Sequence, residues 1–232
     1  MRRSRSFLEP LAFLIAAVSL LAPRLWAEEK SERLPRRWVE EVLEKIKPSI
    51  VVVHAGEKDA DGRESATRHG LGVIIDPKGV VVLPHRLVAG GGAVEVVLSD
   101  GRRLRPMAIL SDVEAEVAVL KLESDRPLPS AAFGDSDSVK VGDRVLSLHS
   151  EFREEAGIER GSIEGKARPE RKGVRLYMTS VWSPPRQRDL LVNRKGEIIG
   201  VWMEERFKPD ERPGAVPSDQ VKAAVRRLLE KE

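Results

Sequence analysis

The chain has 232 residues, 41% of them hydrophobic and 33% charged, and it contains no cysteine. That apolar share can fill a core, which excludes wholesale disorder, and the length fits one large domain or two small ones packed together. Without cysteine there is no disulfide framework, no thiolate metal site and no cysteine nucleophile. The four histidines, His54, His69, His85 and His149, show no metal-ligand spacing, so neither a metal nor another cofactor is expected. Arg2, Arg3, Arg5 and Arg24 against Glu9 alone account for the whole net charge of +3, which leaves the rest of the chain formally neutral. A neutral body with interspersed charges has no bulk attraction to nucleic acid.

The leading arginines precede an apolar run from Leu11 to Ala22, too short to span a bilayer comfortably. The pattern reads as a secretory signal peptide over residues 1–27, with cleavage after Ala27, and so implies a periplasmic or secreted product. An uncleaved membrane anchor is the competing reading. Residues 28–37 form a polar lead-in. Trp38, Val42, Leu43 and Ile46 then share one face of a short helix, which Pro48 ends.

From Ser49 onward the patterns are those of strands, at residues 50–54, 71–75, 80–83, 94–98 and 117–122. Turn signals such as Asp76-Pro77-Lys78-Gly79 and Ser99-Asp100-Gly101 separate them. Residues 128–143 form a connector containing Pro and Ser. Strand patterns resume at residues 145–148, 174–181, 190–192 and 198–203, and Val221, Val225, Leu228 and Leu229 line one face of a closing helix. The expected fold is all-β: a first barrel over 38–127, the connector, a second barrel over 144–216 and a terminal helix over 217–232.

Several spellings are specific when taken together. Gly70-Leu71-Gly72-Val73-Ile74-Ile75-Asp76, the histidine in Leu83-Pro84-His85-Arg86, and Val97-Leu98-Ser99-Asp100-Gly101 come first. Ala118-Val119-Leu120-Lys121, Phe133-Gly134-Asp135-Ser136, Lys195-Gly196-Glu197-Ile198-Ile199-Gly200 and Gly214-Ala215-Val216-Pro217 follow in order. The series resembles the HtrA/Deg group of trypsin-like serine proteases over roughly residues 38–229. That family commonly appends a PDZ domain, and none is expected within these 232 residues. The resemblance implies a trypsin-like double barrel and acyl-transfer chemistry, in which a serine attacks, a histidine takes its proton and an aspartate orients the histidine.

The resemblance assigns His85 to the general base, the competing reading being a structural histidine. Glu116 stands where the family has the orienting aspartate, and its extra methylene changes the reach of the carboxylate. Counting back without a gap from Asn193-Arg194-Lys195-Gly196 puts Gln187 at the nucleophile, where an amide has no hydroxyl with which to attack. The same count puts Pro185 at a glycine whose N–H would stabilise the oxyanion; proline has none. Arg188 and Asp189 replace glycines that let a substrate backbone approach. Ser180 and Ser183 are the candidate stand-in nucleophiles.

The expectation is a pseudoprotease module that binds peptides or partner proteins, with an HtrA/Deg-type serine endopeptidase of unusual configuration as the alternative. Trp182 and Trp202 are candidate binding residues, against a competing reading as barrel core. The basic stretches Arg168 to Arg175 and Arg186-Gln187-Arg188 are candidate contacts for acidic partners.

Overall fold

A computed structural model describes residues 36–58, 61–151, 155–166, 175–181, 188–203 and 214–231. The expected signal peptide, Trp182, Ser183, Pro185 and Gln187 lie outside the described residues. The chain divides into two compact units, Met1–Val39 and Glu40–Glu232, and every described strand belongs to the second. Helix α1 (Arg36–Ile46) gives way to a single 3-10 turn at Lys47–Ser49, as Pro48 requires, and Val42 and Ile46 are buried on one side of it.

Seven strands follow: β1 (Ile50–Lys58), β2 (Glu64–Asp76), β3 (Val80–Pro84), β4 (Gly91–Val97), β5 (Arg103–Leu104), β6 (Pro106–Asp112) and β7 (Val117–Leu122). They form one antiparallel sheet in the order β5-β4-β1-β2-β3-β7-β6. The expected first barrel is therefore not closed by a ladder of hydrogen bonds. Its two outer strands, β5 and β6, are instead consecutive in the chain, with Arg105 alone between them. Two ends joined by one residue lie within a few Cα spacings of about 3.8 Å, so the sheet must curl until its edges meet. Pro106, which lacks an N–H, opens β6 at that seam. Val51, Val53, Ala55, Val81, Leu83, Val94, Val96, Ala118 and Leu120 fill the concave side, with the period of two that strands require.

The second half closes fully. Strands β8 (Arg144–Glu151), β9 (Glu155–Lys166), β10 (Tyr177–Thr179), β11 (Leu190–Asn193), β12 (Ile198–Trp202) and β13 (Gly214–Pro217) make a barrel in the order β10-β13-β12-β11-β8-β9. Val145, Ile163, Tyr177, Leu191, Ile199 and Trp202 pack inside it. Strands β5, β6, β9 and β13 have no counterpart in the sequence expectation. In β6 the larger outward residues, Met107 at 64% and Ile109 at 45% exposure, blur the inside–outside alternation. Strand β9 carries glycines and charges that usually mark a loop, and its pairing with β8 from Arg144↔Ser162 to Glu151↔Glu155 decides its conformation.

Residues between the halves attach to both. Ala131 N–H donates to the Ile74 carbonyl in the first sheet, and Gly134 N–H donates to the Ile198 carbonyl in the barrel. The closing helix α2 (Ser218–Glu230) begins on this connector: Ser218 Oγ donates to the Gly134 carbonyl, and Ser136 Oγ donates to Asp219. Near its other end Arg227 reaches Asp112, the last residue of β6, at 2.7 Å. Among the described residues no helix is long and apolar enough to cross a membrane.

Candidate functional site

Strand β3 delivers His85 to the mouth of the first sheet, where a short 3-10 turn, His85–Leu87, begins. Strand β7 starts beside it in the ladder, with Pro84 opposite Val117, and the His85 N–H donates to the Glu116 carbonyl at 2.9 Å. The structure thus brings together the two first-sheet residues of the expected site, His85 and Glu116, both half-buried. Glu116 is the one described non-glycine residue with positive φ, at 55°. That left-handed conformation costs a side-chain-bearing residue roughly 1 kcal/mol. The neighbouring Asp112 serves the fold instead, accepting from the Ala115 N–H and from Arg227. Burial pushes its carboxyl up, but these hydrogen bonds outweigh that and hold it below the usual aspartate range.

The second-barrel side is built around Asp189, which is only 1% exposed. Its backbone prolongs the barrel, since its N–H donates to the Leu148 carbonyl and its carbonyl accepts from Trp202 N–H, each at 3.0 Å. The side chain crosses to the first sheet. One carboxylate oxygen accepts from the backbone N–H of Leu71 at 2.8 Å and of Ser150 at 3.2 Å, and the other pairs with the Arg86 guanidinium. Arg86, 7% exposed, also donates to the Arg188 carbonyl at 2.9 Å. Burial pushes the Asp189 carboxyl up against the pull of Arg86 and the two backbone donors. Four segments, from β2, the His85 turn, β8 and the approach to β11, therefore meet on one buried carboxylate.

The first glycine of Gly70-Leu71-Gly72 follows from this. A Cβ at Gly70 would lie 2.6 Å from the Leu87 methyls and 2.9 Å from Asp189 Oδ1, so a larger residue would push the carboxylate away. Gly196 has a separate reason: with φ +74° it closes the β11–β12 hairpin, where Asn193 Oδ1 accepts from the N–H groups of Lys195 and Glu197. On one side of β11 the ladder with β12 shifts register between Leu191 and Val192. Each residue of β11 pairs in turn with β8, from Leu190↔Leu148 to Asn193↔Val145.

Arg188 turns the other way, into the barrel. It is 3% exposed, its guanidinium lies 4.9 Å from the centre of the Trp202 ring, and it donates to the Val181 carbonyl at 3.3 Å. One expectation changes here, and for Trp202 the core reading holds. Arg188 is not an accessible contact for acidic partners, because its charge is inside the barrel. Trp202, 1% exposed on a strand buried along its whole length, is core with no outer surface for a ligand. Ser180 is exposed, but its hydroxyl accepts from the Ser162 N–H at 2.9 Å and lies 3.3 Å from the Ser162 hydroxyl. Arg175, at the end of the other basic stretch, pairs with Asp219.

The sequence reading missed Arg86 and the Arg86–Asp189 pair. The available signal was a charge set among residues that the strand pattern buries: Arg86 between Pro84 and Leu87, and Asp189 against Leu190-Leu191-Val192. Among the described residues no three His, Asp or Glu side chains are grouped so as to hold a metal.

A curled seven-stranded antiparallel sheet and a closed six-stranded barrel, with a histidine turn at the end of β3, define a trypsin-like protease fold. The family model for the trypsin-like peptidase domain matches residues 70–201, and the chain belongs to that family. It is 29% identical over 168 residues to the probable periplasmic serine endoprotease DegP-like of Rickettsia conorii, covering 70% of this chain and 32% of that protein. It is 28% identical over 192 residues to the mitochondrial serine protease HTRA2 of Bos taurus, covering 79% and 42%. With the DegP-like protein of Hahella chejuensis the identity is 33% over 143 residues, covering 60% and 30%. The chain therefore spans less than half the length of each of these relatives.

Proposed function

We propose that this chain is an exported, catalytically silent trypsin-like module that binds peptides or partner proteins. The observation that carries the reading is the packing of Arg188 and Asp189. The resemblance places glycines at these two positions, just after the nucleophile, where a protease needs clearance for substrate. Here both side chains are buried, one inside the barrel and the other bound to the first sheet. The gapless count back from Asn193-Arg194-Lys195-Gly196 gives Gln187 the nucleophile's position and Pro185 a lost oxyanion donor. Loss of a triad member alone leaves some acceleration from the oxyanion hole, and loss of a donor from that hole as well removes about 3 kcal/mol more of barrier lowering. Export to the periplasm fits the arginine-led apolar leader and the bacterial relatives, which are named as periplasmic endoproteases.

The test is labelling of the purified protein with a serine-directed fluorophosphonate, beside hydrolysis of an unfolded protein substrate. We expect neither labelling nor turnover, and no difference between wild type and His85→Ala. Turnover that disappears in His85→Ala would establish a working base and return the chain to the serine endopeptidases.

A further inference from the structure

Strands β1 and β2 place two of the four histidines side by side. His54 stands directly opposite His69 in the ladder, and the register around them is unbroken from Ile50↔Val73 to Glu57↔Ala66. Partners that face each other across an antiparallel pair project to the same side of the sheet, with Cβ atoms about 4.5–5.5 Å apart. Two imidazoles at that spacing reach one ion between them, at a Zn–N distance of about 2.0–2.1 Å. On the other side of His54 the ladder sets Glu95 of β4 in the same row, where it also accepts from Arg103 at 2.8 Å. A carboxylate beside a histidine ligand fixes the ring through the nitrogen that does not face the metal.

The neighbouring rows shape the place. On one side the same face carries Val52 opposite Leu71, both buried. On the other it carries Gly56 opposite Thr67, where one side chain is missing, and His69 itself is exposed. Strands β4, β1 and β2 lie inside the sheet rather than at its edges, so both rings stand on rigid elements. Among the described residues no three His, Asp or Glu side chains gather around one point, so two imidazoles are the protein's donors and water completes the sphere.

We propose that His54 and His69 form a two-histidine site for a late first-row divalent cation such as Zn²⁺, with Glu95 orienting His54. Imidazole selects such ions over Mg²⁺ and Ca²⁺, which take oxygen donors. The spacing of the histidines along the chain gives no sign of the site, because strand register makes the pair. The proposal makes no use of catalytic silence: a chain that hydrolysed protein could carry the same site.

Isothermal titration of the full chain with zinc chloride tests this. One Zn²⁺ per chain should bind saturably, Mg²⁺ should not compete, and Cu²⁺ should displace Zn²⁺, as the usual affinity order of imidazole sites requires. His54→Gln and His69→Gln should each weaken binding at least about tenfold, since each removes half of the protein's donors. The proposal is overturned by the absence of saturable binding, by undiminished binding in either variant, or by equal competition from Mg²⁺. Should either variant fail to fold, the ring nitrogen resonances of wild type decide by NMR. Zn²⁺ that moves the His54 and His69 rings together supports the site, and Zn²⁺ that leaves them unmoved overturns it.

Discussion

The Arg86–Asp189 pair shows how one buried charge can organise its surroundings. Removing either partner leaves the other charge in the interior, whereas removing both leaves only a volume to fill. Asp189→Ala should therefore cost about 3–5 kcal/mol in urea unfolding, and the pair Arg86→Met with Asp189→Leu should recover most of it. A loss below about 1 kcal/mol for Asp189→Ala would mean that solvent reaches Arg86 and that the pair is not sealed. Tyr177 gives a cleaner reading, because it is the only tyrosine. Burial, with Asp219 adding to it, pushes its phenol up to about 12, and the hydroxyl donates to the Ser136 carbonyl at 2.8 Å, a bond only the protonated phenol can make. Ultraviolet titration should show one ionisation near that value in the folded chain, against about 10 when unfolded. Since the folded value is the higher one, the stability this phenol contributes is complete below about pH 10 and is lost as the pH rises through 12. A midpoint near 10 in folded protein would show that water reaches the ring.

Among the elements, α2 matters more than its position at the end of the fold suggests. It begins on the connector through Ser218 and Asp219 and ends on β6 through Arg227 and Asp112, so it ties the seam of the first sheet to the second half. Asp112 has its carboxyl held below the ordinary value, so its contribution is present above about pH 3.9 and is lost as the pH falls through the lower, folded value. Arg227 is half exposed, which limits the pair to roughly 0.5–1 kcal/mol. Arg227→Ala should lower stability by that amount at neutral pH, and the gap should close under acid conditions. A gap that persists with Asp112 protonated would assign the loss to packing of the arginine stem rather than to charge.

For the molecule as a whole, the two halves are joined by the connector, by α2 and by the buried Arg86–Asp189 ion pair. Adjacent residues act as anchors there, Asp189 to the first sheet and Arg188 inside the barrel. Export is the other property of the whole chain. If residues 1–27 act as a leader, the protein recovered from its native cell should begin near Glu28, and mass spectrometry of its N-terminus reads this directly. Intact Met1 in the membrane fraction would favour an anchor.

The sequence by itself determined the β class, the helix ended by Pro48, the β3–His85 junction and the turn at Asp76-Pro77-Lys78-Gly79 between β2 and β3. Each of these rests on local chemistry: a period of two, a missing N–H, a positive φ. It also placed His85 and Glu116 side by side, because the resemblance carries their order and the β3–β7 ladder makes them neighbours. Only the tertiary structure decided that β6 and β9 are strands, since their residues gain that conformation from pairing across long separations rather than from propensity. Only it could turn Arg188 inward and join Asp189 to Arg86, residues 103 apart in sequence. Whether a charge is solvated or sealed depends on what the rest of the chain folds over it, and no local pattern carries that information.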